Sequence, residues 1–238
     1  MSLLAALTEI MDRPRVLVAL DFDGTLAPLV DDPDLAMLDS AARSSLETLA
    51  EADSVDVLIL SGRAHADLSS RIGSLPGVTL VGEHGNDSGE AHEPVDFDDL
   101  DYLLAETQAE TPGSRVERKP NSRAFHTRNS PSDVAAAAQD SLAAWAADKD
   151  GIRILTGKDI LELTVGEVSK GDVIATGFED YDGIIYIGDD TTDESVFQAL
   201  RRTDIGIKVG VGETAARFRV PDVSAVVGVL NALVEAST

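Results

Sequence analysis

Val16-Leu17-Val18-Ala19-Leu20 runs directly into Asp21-Phe22-Asp23-Gly24-Thr25. Five consecutive aliphatic residues predict a strand buried on both faces, the kind that parallel sheets use. Two carboxylates then leave the carboxyl end of that strand, followed by a glycine that permits a tight turn. The pattern recurs along the chain. Residues 55–60 run into Ser61-Gly62-Arg63, and residues 78–81 into Gly82-Glu83-His84-Gly85-Asn86. Residues 183–187 run into Gly188-Asp189-Asp190-Thr191-Thr192-Asp193-Glu194, and residues 205–209 make a fifth strand. Residues 39–52 carry apolar side chains at helical spacing. This βαβα order predicts an α/β fold: a parallel sheet covered on both faces, with its ligand loops at the carboxyl ends of the strands.

The middle of the chain has a different order. Residues 97–110 predict a helix, and residues 114–119 and 123–128 predict two strands joined at Pro120-Asn121. Residues 131–149 form an alanine-rich helix with proline at its start, and residues 152–156 and 159–164 form a second hairpin about Gly157-Lys158. The order αββαββ describes an antiparallel α+β unit inserted between the third and fourth parallel strands. Two domains are therefore expected: residues 1–88 with 168–238, and residues 89–167.

Composition narrows the classes of function. Of 238 residues, 43% are hydrophobic and none is cysteine, which excludes disulfides, thiolate metal sites and cysteine nucleophiles and suits a reducing cytoplasm. The apolar runs are strand-sized, so no membrane span is expected. Residues 1–11 lack the basic start and cleavage signature of a secretory leader. Asp and Glu number 43 against 19 Lys and Arg, a net charge of −24. Such a surface repels nucleic acid and anionic lipid. Only five lysines are present, and Asp recurs in runs such as Asp96, Asp98, Asp99 and Asp101. We expect from this a protein adapted to a high-salt cytoplasm, where screening cancels self-repulsion.

Asp21 and Asp23 alone read equally well as a turn, since Asp and Gly are common there. Placed at a sheet rim, two carboxylates two residues apart call for a cation, and oxygen ligands suit Mg²⁺. Asp193 and Glu194 fit a helix N-terminus with Thr192 as its cap. Asp189 and Asp190 precede that helix and are not explained by it. If their strand neighbours the first, Asp189 faces Asp21 and completes a metal site. Ser61 either caps the helix near Ala64 or offers its hydroxyl to a phosphate. Lys170 opens a helix, where its charge opposes the dipole, so an anionic partner accounts for it better than a solvated face. His65 and His92 read as surface residues, and Trp145 as packing.

These loops, in this order, resemble the signature of the haloacid-dehalogenase-like phosphatases. Residues 20–28 (LDFDGTLAP), 60–63 (LSGR), 82–86 (GEHGN), 168–171 (VSKG) and 188–194 (GDDTTDE) are similar to the motifs of the trehalose-6-phosphate phosphatase family. The resemblance implies a Rossmann-like hydrolase core, residues 89–167 as a substrate-specificity cap, and Mg²⁺ as cofactor. It implies Asp21 as nucleophile forming an aspartyl-phosphate, and Asp23 as general acid and then base. Ser61 and Lys170 complete the catalytic set. Asp21, Asp23 through its carbonyl and Asp189 would hold the metal, with Asp193 in the metal site beside or behind them. Gly62, Arg63, Glu83, His84, Gly85, Lys119, His126, Arg128 and Glu162 would contact substrate, with a hinge role equally open for residues 83–86.

On the second cap strand, Ala124, His126 and Arg128 share one face, and Phe125 and Thr127 the other; on the fourth, Ile160, Glu162 and Thr164 oppose Leu161 and Leu163. Thr164-Val165-Gly166 departs from the family, which commonly has a basic residue and proline there. The implied activity is hydrolysis of trehalose 6-phosphate by a cytoplasmic monomer, functionally coupled to a synthase. Two alternatives stay open. One is a phosphatase for another glycosyl phosphate, such as sucrose 6-phosphate or mannosyl-3-phosphoglycerate. The other is a non-catalytic phosphosugar sensor or synthase partner, which the intact set of carboxylates and lysine disfavours.

Overall fold

The computed structural model describes residues 1–30, 35–86, 97–149, 151–157, 159–165 and 169–237. His92, Lys158, Gly166 and Val168, singled out above, lie outside them, as does Asp96. The chain divides into two compact units, Met1–Gly89 with Val168–Thr238, and Glu90–Glu167. Elements are numbered in chain order across both.

The first unit contains α1 (Leu3–Met11), β1 (Val16–Leu20), α2 (Ser40–Ala50), β2 (Val55–Leu60), α3 (His65–Ile72) and β3 (Val78–Val81). After the second unit it continues with α6 (Lys170–Gly177), β8 (Gly183–Gly188), α7 (Glu194–Ala199), β9 (Ile205–Val209), β10 (Phe218–Val220) and α8 (Val223–Ala236). Six parallel strands lie in the order β10-β9-β8-β1-β2-β3. Val16, Val18 and Leu20 pack on one face with α1, α2 and α8. Leu17 and Ala19 pack on the other with Ile174 of α6 and Phe197 of α7. Every residue of β1 is buried, as a strand between two helical layers requires. Helix starts are set by side chains: Asp39 accepts from the amides of Ala41 and Ala42, and Asp222 from that of Ala225.

The five expected parallel strands are all present. β10 is an addition, three residues long, too short for its apolar pattern to stand out. β1 lies between β2 and β8, with Leu20 aligned to both Ile59 and Ile187, so the loops after these three strands leave side by side.

The second unit has α4 (Asp98–Glu110), β4 (Arg115–Arg118), β5 (Ser122–His126), α5 (Ser132–Ala147), β6 (Ile152–Gly157) and β7 (Ile160–Val165). Its antiparallel sheet has the order β4-β5-β7-β6. Phe125, Leu161 and Leu163 pack against Leu100 and Leu104 of α4 and Leu142 of α5, so both helices cover one face. Trp145 packs at the edge of this cluster. One expectation is corrected here. β5 ends at His126 rather than Arg128, because Thr127 makes a last ladder bond to the carbonyl of Asp159 and the amide of Ser130 then turns back to Thr127. Arg128 stands exposed in that turn and does not share the strand face of Ala124 and His126. Among the described residues, no helix is long and apolar enough to cross a membrane.

Candidate active site

Because β8 neighbours β1, the loop after β8 meets the loop after β1. Gly24 has φ of +81°, and a Cβ there would lie 2.1 Å from Asp189 Oδ2; only glycine allows both the turn and the approach. Asp21, Asp189 and Asp193 each bring a carboxylate oxygen within 4.8 Å of the others. Lys170 is the first residue of α6, presented by a capping box between Ser169 and Asp172. Its Nζ donates to Asp21 Oδ1 at 2.6 Å and to Asp193 Oδ1 at 2.8 Å. Its anionic partners are therefore the two acids, and it is 2% exposed.

Asp193 also accepts from Tyr186 Oη at 2.6 Å and from the Asp190 amide at 3.0 Å. α7 starts one residue later than expected, with Asp193, not Thr192, at the cap position. The side chain of Asp193 does not cap the helix: it is fully buried and occupied by Lys170, Tyr186 and the loop amide. His65, expected at the surface, is half-buried at the start of α3.

The electrostatics of this cluster follow from charge crowding in a dry site. Burial pushes the Asp21 carboxyl well up, Lys170 pulls against it, and Asp193 and Asp189 add to the push. Burial, then Asp193 and Asp190, push Asp189 up to about 7. Burial also works against ionisation of Asp193, but Lys170 and the Tyr186 hydroxyl overcome it and hold the carboxyl below its ordinary range. Lys170 loses hydration on burial, yet Asp193 and Asp21 hold it above the usual lysine value. Three carboxylates thus crowd about Lys170, with Lys208 adding a second positive charge near Asp189, and among the described residues Asp189 Oδ1 is buried without a hydrogen-bond partner. Such an orphaned acceptor is costly. An all-oxygen donor set with surplus negative charge fits a hard divalent cation.

Asp23 stands apart from that triad. Both its oxygens are taken by one guanidinium, Arg63 Nε to Oδ2 at 2.7 Å and Nη2 to Oδ1 at 2.6 Å. Ser61 is buried and its Oγ accepts from the Arg63 amide at 3.1 Å; it does not cap α3, whose cap position is Ala64 and makes no side-chain cap bond. The turn at residues 83–85 braces this loop, with the amides of Glu83 and His84 donating to the carbonyls of Arg63 and Ser61. Glu83 and His84 adopt φ of 44° and 57°, a conformation that costs a non-glycine residue roughly 1–3 kcal/mol. Gly62 sits directly under the His84 ring, where a Cβ would come within 2.5 Å. Gly85 closes the turn with its amide on Gly82.

In the second unit, Glu117, Ala124 and Glu162 align across β4, β5 and β7 on the face turned away from α4 and α5. Lys119 Nζ donates to Glu162 Oε1 at 2.8 Å, and Ser122 Oγ to the same atom at 2.5 Å. His126 Nε2 lies 2.8 Å from Glu117 Oε2.

Sequence reasoning missed several contributors. Lys208, buried in β9, donates to the carbonyls of Asp189 and Asp190 and pairs with Glu194 at 3.7 Å, so it tethers the acidic loop. The signal was present: a rare lysine inside an aliphatic strand. Tyr186, the one aromatic residue of β8, carried a similar signal. Ser122 and Glu117 carried none.

A parallel α/β sheet whose first strand ends in two aspartates, with a buried lysine and a second acidic loop at the same rim, defines the haloacid-dehalogenase-like class of α/β hydrolases. The trehalose-phosphatase family model matches residues 19–224, and the chain belongs to that family. A trehalose-phosphate phosphatase of Mycobacterium marinum is 34% identical over 224 residues, covering 86% of this chain and 56% of the relative. A bifunctional trehalose-6-phosphate synthase/phosphatase of Thermoproteus tenax is 34% identical over 223 residues, 87% of this chain and 30% of that one. This chain thus spans about half or less of the length of these relatives. The C-terminal domain of a C. albicans trehalose-6-phosphate phosphatase shares the fold, with a TM-score of 0.86, 23% identity, and coverage of 98% and 97% of the two chains.

Proposed function

We propose that the protein hydrolyses trehalose 6-phosphate to trehalose and phosphate through an aspartyl-phosphate on Asp21. The observation that carries this reading is Lys170 set between Asp21 and Asp193 in a cluster one cation short, in a chain of this family. In the first half-reaction an Asp21 oxygen bonds to phosphorus while the bond from phosphorus to the sugar oxygen breaks, and Asp23 gives that oxygen its proton. In the second, Asp23 takes a proton from water as the water oxygen bonds to phosphorus and the Asp21 acyl-phosphate bond breaks. Lys170 orients the Asp21 carboxylate and offsets charge between nucleophile and phosphate. Ser61 is assigned to a phosphate oxygen. Mg²⁺, held by Asp21, Asp189, Asp193 and the Asp23 carbonyl, would supply charge neutralisation for the phosphoryl group.

We assign sugar recognition to residues 89–167, with His126 and Glu162 on the strand face away from the helices, Lys119 just past β4 and bonded to Glu162, and Arg128 beyond β5. Arg63 and residues 83–85 are assigned to the rim of the substrate site. The substrate chemistry places a glycosyl-transfer step upstream, and the combined name of the T. tenax relative supports coupling to a synthase. A cytoplasmic monomer is the state we assign.

The test is phosphate release with Mg²⁺ from trehalose 6-phosphate, sucrose 6-phosphate, glucose 6-phosphate and mannosyl-3-phosphoglycerate, in dilute and in molar potassium chloride. A large preference for trehalose 6-phosphate is expected. Equal turnover of all four would overturn the recognition reading and keep the phosphatase. No release at either salt would bring the sensor reading forward.

A further inference from the structure

The fork on Asp23 continues outward into α3. Arg63 Nη1 donates to Asp67 Oδ2 at 2.8 Å, and Asp67 is itself forked by Arg71, Nη2 to Oδ1 at 2.6 Å and Nε to Oδ2 at 2.9 Å. The side chains of Arg63 and Arg71 are 11% and 9% exposed. Asp23, Arg63, Asp67 and Arg71 thus form a row of alternating charges from the β1 loop onto the first two turns of a helix. A planar guanidinium gripping both carboxylate oxygens fixes the plane of that carboxylate as well as its position. The fork uses one lone pair on each oxygen and leaves another on each for a proton in transit. An arginine alone has several rotatable bonds. Asp67 and Arg71 remove that freedom, because Asp67 accepts from Arg63 while Arg71 locks Asp67 from the far side.

We propose that Asp67 and Arg71 are positioning residues for the reaction: acting through Arg63, they orient the Asp23 carboxylate for proton transfer. This rests on the phosphatase reading and on Asp23 as the group that moves the proton. It moves Arg63 from substrate contact to the support of Asp23. Neither Asp67 nor Arg71 needs to touch substrate.

The experiment compares two leaving groups. Protonation is needed when a sugar alkoxide leaves, and far less when p-nitrophenolate leaves. Asp67→Asn keeps shape and removes the charge that anchors Arg63. On trehalose 6-phosphate its kcat is expected to fall roughly tenfold to a hundredfold, part of the rate that general acid–base catalysis supplies, with KM within about twofold. On p-nitrophenyl phosphate the first burst of nitrophenolate is expected to keep its rate, and acid quench is expected to trap more phosphoenzyme than in the wild type, since the water step also uses Asp23. Arg71→Lys, which keeps the charge and loses the fork, is measured in parallel and is expected to show the same selective loss in smaller degree. It decides the matter if Asp67→Asn does not fold. An equal slowing of the phosphorylation step on both substrates, the nitrophenolate burst included, or a raised KM with kcat retained, in an otherwise active enzyme would overturn the positioning role alone. A wild-type chain inert on both substrates would overturn the phosphatase reading and this inference with it.

Discussion

Lys170 separates two acids that would otherwise be buried against each other, and deleting its charge isolates that duty. Lys170→Met preserves length and leaves Asp21 and Asp193 uncompensated. Removing one partner of a buried ion pair costs about 3–5 kcal/mol, so the Tm is expected to fall by roughly 6–20 °C and phosphate release to reach background. Added Mg²⁺ is expected to raise the Tm of the variant more than that of the wild type, because the cation then supplies the missing charge. Calorimetry with and without Mg²⁺ checks this, and equal shifts in both proteins would refute it. Lys170 was legible because a lysine at a helix start is electrostatically out of place. Its two partners lie 149 residues before it and 23 after, a juxtaposition that only the sheet order supplies. Lys208 and Tyr186 were not read as functional, since one polar group in an aliphatic strand is compatible with an ordinary strand. Asp67 and Arg71 were silent for a similar reason: an acid and a base four apart are common on any solvated helix face.

At the level of elements, the nearly continuous aliphatic runs made β1, β2, β8 and β9 visible, and the turn residues Pro120-Asn121 and Gly157-Lys158 marked the antiparallel hairpins. What escaped were ends decided by tertiary contacts. β10 exists through its pairing with β9, and β5 stops where Ser130 turns back to Thr127. α7 begins where it does because the Asp193 carboxylate folds the preceding loop by accepting the Asp190 amide. The loop after β1 allows a sharp test. Gly24→Ala places a Cβ into the Asp189 carboxylate at a positive φ, so backbone strain of about 1–2 kcal/mol is joined by displacement of Asp189. Half-maximal activity is expected to need at least roughly tenfold more Mg²⁺, a loss of about 1.4 kcal/mol in metal affinity. Gly210→Ala is the control. Gly210 has φ of +76° with nothing within 4 Å of an added Cβ, so this variant is expected to lose similar stability with an unchanged Mg²⁺ requirement. Parallel Mg²⁺ titrations of the two variants decide whether the contact, rather than the strain, is what matters.

Across the whole molecule, the net charge of −24 sets the response to salt. Screening length falls from about 10 Å at 0.1 M to about 3 Å at 1 M, which removes most repulsion between separated surface acids and leaves the buried Lys170 cluster largely unaffected. The Tm is expected to rise by several degrees, roughly 5 °C or more, between dilute buffer and molar potassium chloride, from relief of self-repulsion; a flat profile would refute adaptation to high salt. The αββαββ order of residues 89–167 was legible, because each hairpin is local and its turn residues stand in the sequence. The neighbours of β1 were not, since nothing local pairs Val16 with Gly183. That pairing has a consequence for biosynthesis. A ribosome adding about 5–20 residues per second delivers β1, β2 and β3 and then works for roughly 5–20 s before β8 emerges. Throughout that interval the nascent sheet offers a bare β1 edge, the kind of template on which chains join one another.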